Sequence, residues 1–112
     1  MLRVLDVDFG NPSSMHWAGK DARRVMDQAR MDVADGIGCQ PGEIVFTSGA
    51  TEADNLALFG TLRLFPFNEA HLITSAIEHH AILHAVRRLE RDGYAVTHLP
   101  VNGRGMVNPD DV

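Results

Sequence analysis

Lysine is nearly missing from this chain: Lys20 stands alone against nine arginines in 112 residues. Cysteine is also single, so Cys39 has no partner for an internal disulfide, and the chain reads as one suited to a reducing compartment. Basic charge is scarce: the net charge is −5 and the pI near 5.6, with the arginines dispersed. A nucleic-acid module would present a basic face, so this class is disfavoured. No apolar run approaches the roughly 20 residues of a membrane span, and the start Met1-Leu-Arg-Val-Leu-Asp6 lacks a signal peptide's apolar centre. These absences lead to the expectation of a soluble, cytoplasmic protein without nucleic-acid or membrane partners. The glycine spacings of the P-loop and the dinucleotide fingerprint are missing as well, as are repeats, low-complexity tracts and interdomain linkers.

What remains is 45% apolar, enough for a core, in a chain no longer than one small domain. Phe9-Gly-Asn-Pro-Ser-Ser14 forms a turn: Pro12 fixes φ, Asn11 is biased to extended geometry, and Ser13 or Ser14 can cap the helix after it. Ala22, Val25, Met26, Ala29 and Val33 then recur at helical spacing, which predicts an amphipathic helix to about Asp35. Its wet side carries Asp21, Arg23, Arg24, Asp27, Gln28 and Asp32. Gly36 and Gly38 close it, and Gln40-Pro-Gly42 turns the chain. Downstream, His71–Ser75 reads as a strand. Ile82, Ala85, Val86 and Leu89 form one helical stripe ended by Asp92-Gly93, and Tyr94–Leu99 alternates as a further strand. Asn108-Pro-Asp-Asp111 has a cap, a proline and two carboxylates suited to a helix start. The chain stops there, as if cut where an element begins.

The richest segment is 43–55. Ile44-Val45-Phe46 predicts a buried strand that breaks at Ser48-Gly49 into a helix with Ala53, Leu56, Ala57 and Gly60 at helical spacing. Such a junction leaves the first helical N–H groups unpaired at the positive end of the dipole, an anion site most often used for phosphate. The hydroxyls of Ser48 and Thr51 stand there to add hydrogen bonds, although a Ser or Thr at such a junction more often serves only to cap the helix. The predicted order is helix, strand, helix, strand, helix, strand. It implies an α/β fold with a parallel sheet, whose carboxyl edge lines a ligand crevice. His79, after the strand ending at Ser75, falls at that edge as either an acid/base or stacking group or a plain helix-start residue. His80 and His84 have a spacing that can hold a metal, but no third ligand is in register, so no metal site is assigned. His16, His71 and His98 are read as structural, and Cys39 as a small buried or turn residue rather than a nucleophile. Glu52 and Asp54 complement the helix dipole and are given no chemistry.

Four segments, in order and at matching spacing, carry a family resemblance. They are Phe9-Gly-Asn-Pro-Ser-Ser14, the run Glu43–Leu58, Ile73-Thr-Ser-Ala-Ile-Glu-His79, and the run Leu89–Val101. Together they resemble the amino-terminal part of the cysteine desulfurases of the NifS/IscS type, pyridoxal-phosphate enzymes of the class V aminotransferase group. The resemblance covers nearly the whole chain. It implies a partial three-layer α/β/α large domain of the type I fold, with residues 1–112 forming a single incomplete domain. By resemblance, Ala50 and Thr51 bind the phosphate of pyridoxal phosphate. His79 stacks on the cofactor ring and takes part in proton transfer. Asn11 lies in a signature that shapes the region. The activity implied is conversion of L-cysteine to alanine, with the sulfur held as a persulfide for iron–sulfur cluster or thio-cofactor assembly.

Several departures bear on activity. Lys20 lies outside any Schiff-base motif, and Cys39 does not occupy the position of the sulfur-accepting thiol. The Ser-Gly-His-Lys stretch, the aspartate facing the ring nitrogen and the cysteine loop have no counterpart, nor has the family's opening Leu-Asp-Asn-Ala-Ala-type segment. Phe65-Pro-Phe-Asn68 is apolar where the family connection is polar and glycine-rich. Without the lysine and acidic partner the cofactor is neither held covalently nor tuned as an electron sink. The expectation is a fragment inactive alone, partnered by a second copy or a complementing chain as in a split desulfurase. The alternative is a non-catalytic phosphate-binding or interaction module.

Overall fold

Residues 2–112 are described by the computed structural model. The chain divides into two units, one ending at Phe46 and one beginning at Thr47. The first holds helix α1 (Leu2–Asp6), which the sequence pattern does not announce, and the long helix α2 (Trp17–Ile37). In the turn before α2, Asn11 Oδ1 accepts the Ser13 N–H and Asn11 O accepts the Ser14 N–H, each at 2.9 Å. Both serines are thereby still inside the turn, and the cap falls instead to His16, whose Nδ1 accepts from Gly19 N–H at 3.4 Å. The approach of turn and helix is close: a Cβ on Gly10 would lie 2.1 Å from Ala18 O, and one on Gly19 2.4 Å from Ser14 O. Only glycine fits at either position.

The expected apolar face of α2 is half right. Ala22 is buried and Val25 and Met26 are half-buried, but Ala29 and Val33 are exposed, while Ala34 is fully buried. Gly38, with φ 74°, ends the helix as its left-handed cap and returns its N–H to Ala34 O. The short 3₁₀ turn Pro41–Glu43 comes next, with the Gln40 N–H held by the Glu43 carboxylate at 2.7 Å.

Ile44-Val45-Phe46 is not a strand. Ile44 has extended backbone, but among the described residues no strand pairs with the segment, and Val45 and Phe46 are exposed. A strand exists only through its ladder, so an intrinsic preference for extension leaves an unpaired segment. Arg30 on α2 holds this segment instead, donating from its guanidinium to Ile44 O and lying 5.0 Å from the centre of the Phe46 ring.

The second unit is built on a βαβ motif. Strand β1 (His71–Ser75) pairs in parallel with β2 (Ala95–Leu99), His71 opposite Ala95 and Ser75 opposite Leu99. Helix α4 (His80–Arg91) connects them and buries Ala85, Val86 and Leu89, with Ile82 half-buried, the stripe that its sequence predicts. Complete burial of Val86 and Leu89 supplies about 1.5–3 kcal/mol each. Helix α3 (Ala50–Leu62) packs along α4 and buries Leu62. Its predicted apolar stripe is nevertheless exposed at Ala53, Leu56, Ala57 and Gly60. The sheet of this unit therefore has two strands where the sequence suggests three, and the fold is α/β with a parallel sheet.

The connection from α3 to β1 is held by aromatic contacts. The Tyr94 hydroxyl donates to Leu62 O at 3.1 Å, and the Phe67 ring meets the Tyr94 ring edge-on with centroids 6.4 Å apart. At the other end of the unit, Asn108 caps the 3₁₀ turn Pro109–Asp111, as its Asn-Pro-Asp sequence suggests. Among the described residues, no helix is long and apolar enough to cross a membrane.

Candidate functional site

Connectivity fixes which ends of the helices meet the strand ends. Helix α4 leaves the carboxyl end of β1 and returns to the amino end of β2, so its first turn lies at the carboxyl edge of the sheet. Tyr94, at the amino end of β2, also ties down the last carbonyl of α3. Helix α3 contacts α4, and its first residue lies about 18 Å along the axis from its last at 1.5 Å per residue, so its start is well separated from the end that Tyr94 holds.

Ala50 and Thr51 form the first residues of α3, both exposed. Gly49 is the N-cap residue, and among the described residues no side chain caps the helix. Its φ of 164° is ordinary extended backbone, and a Cβ built there would meet nothing within 4 Å. The open space over Gly49 and the uncapped N–H groups of the first turn make a cradle that an anion can enter.

The hydroxyls divide differently from the sequence expectation. Ser48 does not face the open amides. Its Oγ donates to Glu52 Oε2 at 2.6 Å, and its N–H donates to the same oxygen at 2.8 Å. A hydroxyl has one proton, so Ser48 has none left to give an anion. Thr47 is likewise spent, donating to Gly49 O at 3.1 Å. Among the described residues no hydrogen bond engages the Thr51 hydroxyl, while its carbonyl accepts from the Asn55 amide at 2.7 Å. The two bonds from Ser48, the hydroxyl first and the amide second, hold the Glu52 carboxyl below the ordinary carboxylate value. Glu52 thus has a role in the turn that its sequence reading omits. The signal was available: Gly49 and Glu52 have the spacing of a capping box, here reaching one residue further back to Ser48.

His79 is the N-cap of α4, with its Nδ1 accepting from Ala81 N–H at 3.1 Å. The helix-start reading of this residue is therefore realised, and it has a chemical consequence. With Nδ1 engaged as an acceptor, the neutral ring carries its proton on Nε2, which is the atom left to meet a ligand. No hydrogen bond joins the His79 turn to the Ser48–Thr51 turn among the described residues. Ser75 Oγ donates to Glu78 Oε1 at 2.8 Å and tightens the segment that leads to His79.

The remaining candidates fall elsewhere. The rings of His80 and His84 lie 5.8 Å apart, and among the described residues no group of three His, Cys, Asp or Glu side chains is placed to hold a metal. Lys20 is exposed on α2, and Cys39 is half-buried just past its end. Asn11 is occupied in its own turn. A cavity of about 650 Å³ lies at the opposite, amino edge of the strands, lined by residues including Phe67, Glu69, His71 and Tyr94, away from the helix starts.

Comparison with known proteins bears directly on this arrangement. The aminotransferase class V family description matches residues 4–112. Cysteine desulfurase IscS of Methanosarcina thermophila is 46% identical over 112 residues, covering 100% of this chain and 28% of that protein. Among solved structures, a NifS-like protein superposes with a TM-score of 0.88 at 36% identity, over 98% of this chain and 30% of its own. SspA in complex with cysteine gives 0.84 at 38% identity, over 97% and 31%. The chain spans less than a third of the length of these relatives.

Proposed function

Because the chain belongs to the class V aminotransferase family, whose members depend on pyridoxal phosphate, we propose that it is the amino-terminal part of the cofactor-binding large domain of a cysteine desulfurase. The observation that carries this reading is the uncapped first turn of α3, with open space over Gly49 and a Thr51 hydroxyl that no hydrogen bond engages among the described residues.

The residues present suit the cofactor's phosphate. The Ala50 and Thr51 amides and the Thr51 hydroxyl would hold its oxygens, aided by the helix dipole. His79 would stand against the ring, its Nε2 carrying a proton that it can give or take back. When bound, pyridoxal phosphate supplies the electron sink for breaking bonds at the substrate's α-carbon. L-cysteine is the substrate of this reading, in line with the cysteine-bound relative.

Lys20 and Cys39 do not fit the roles of cofactor anchor and sulfur-accepting thiol, so turnover needs both groups from another segment or chain. The exposed stripe Ala53, Leu56, Ala57 and Gly60 and the unpaired Ile44–Phe46 segment are surfaces that such a segment, or a second copy in a dimer, would cover. A cytoplasmic setting belongs to the same reading.

The test is complementation. The chain is co-expressed with the remaining portion of the IscS relative from M. thermophila, the part in which the family resemblance implies the lysine and cysteine. Alanine release from L-cysteine by the pair, absent from either part alone and lost on Thr51→Ala, is the expected result. A pair that assembles without releasing alanine would contradict it.

A further inference from the structure

Coulomb's law makes Glu52 a poor neighbour for an anion, because its carboxylate lies in the same turn as the amides that would hold a phosphate. Its hydrogen bonds argue the other way. One oxygen accepts both the N–H and the O–H of Ser48, which closes the turn across Gly49, Ala50 and Thr51. We propose that Glu52 is a positioning residue, holding the Ser48 turn so that the Ala50 and Thr51 amides face a phosphate monoester and removing the Ser48 hydroxyl from the ligand's donors. This rests on the phosphate reading given under the proposed function and goes beyond it by separating what orients the site from what binds.

The geometry makes the division specific. The Ser48 and Thr47 hydroxyl protons are both committed within the turn, to Glu52 and to Gly49 O. Donors to the ligand are therefore backbone amides and one hydroxyl, Thr51. Among the described residues no side chain takes the place of the ligand at the helix end. Glu52 is itself exposed, so its repulsion of an anion is screened by salt while its bonds to Ser48 are short-range and local. Positioning and repulsion then predict opposite signs for the same substitution.

The experiment is calorimetric titration of the chain and its variants with pyridoxine 5′-phosphate, which has no aldehyde to condense with Lys20. Glu52→Ala is expected to weaken binding about tenfold, the worth of a charge-assisted hydrogen bond, although it removes a negative charge. Glu52→Gln, whose amide oxygen can still accept both bonds, is expected to keep most of the affinity. Ser48→Ala, which leaves the backbone bond in place, is expected to lose less than about threefold, and Ser48→Ala with Glu52→Ala is expected to bind no worse than Glu52→Ala alone. Unchanged or tighter binding by Glu52→Ala overturns the proposal. So does a tenfold loss in Ser48→Ala with Glu52 intact, which would make Ser48 a direct donor. Failure of the unsubstituted chain to bind the ester overturns the phosphate reading and this proposal together, and is thereby distinguished from failure of the positioning role alone.

Discussion

The hydroxyl of Tyr94 donates to the main-chain oxygen of Leu62 across 3.1 Å, joining the entry of β2 to the last turn of α3. That carbonyl also accepts the Phe65 N–H at 3.1 Å, so the hydroxyl adds a second donor at the end of α3 and ties it to β2. Removing the hydroxyl in Tyr94→Phe is expected to cost about 1 kcal/mol in denaturant unfolding. It should also speed amide exchange at Arg63–Phe65 while leaving the β1–β2 ladder protected.

The core of the second unit depends on one helical face. Leu89→Ala removes a fully buried side chain and is expected to cost about 2–5 kcal/mol, measured by urea unfolding. Leu64→Ala, in the exposed connection, is expected to change stability by less than about 0.5 kcal/mol. Equal effects at the two positions would contradict the assignment of the core.

Arg30 stands in for the strand partner that Ile44–Phe46 lacks. Arg30→Ala removes both the bond to Ile44 O and the cation over the Phe46 ring, an expected loss of about 1–2 kcal/mol. The informative readout is local: limited proteolysis should move to Val45–Thr47 in the variant while α2 remains intact.

The Ser48–Glu52 contact should respond to acid. Glu52 titrates below its ordinary value because the folded turn donates two hydrogen bonds to the carboxylate, from the Ser48 hydroxyl and then its amide. A lowered folded value means the contact is complete above the ordinary carboxylate range and is lost as pH falls through the lowered value. Carboxyl-carbon NMR should give a midpoint below that of Glu52 in an unstructured peptide of residues 46–54. Coincident midpoints would show that the turn is not closed by this contact.

Local signals in the sequence carried most of the second unit. The period of Ile82, Ala85, Val86 and Leu89 identifies α4 and its buried face, and β1 and β2 lie within a residue of their predicted spans. What failed was whatever depended on a partner elsewhere in the fold. Ile44–Phe46 has the composition of a strand without a neighbour to pair with, and the stripe on α3 has helical period without a covering surface. At the site, Ala50, Thr51 and His79 fall at helix starts as their positions suggest. The commitment of the Ser48 proton to Glu52 was not legible, because residue type shows that a hydroxyl can donate but not where its single proton goes.

The central claim is that the first turn of α3 is built to hold a phosphate monoester. The most direct measurement is a titration of the ¹⁵N-labelled chain with pyridoxine 5′-phosphate, set against pyridoxine, while following individual amides. Saturable shifts at Ala50 and Thr51 with the ester alone, weakened about tenfold in Thr51→Ala, are the predicted result. Equal shifts with both compounds, or shifts that spare Ala50 and Thr51, would contradict it.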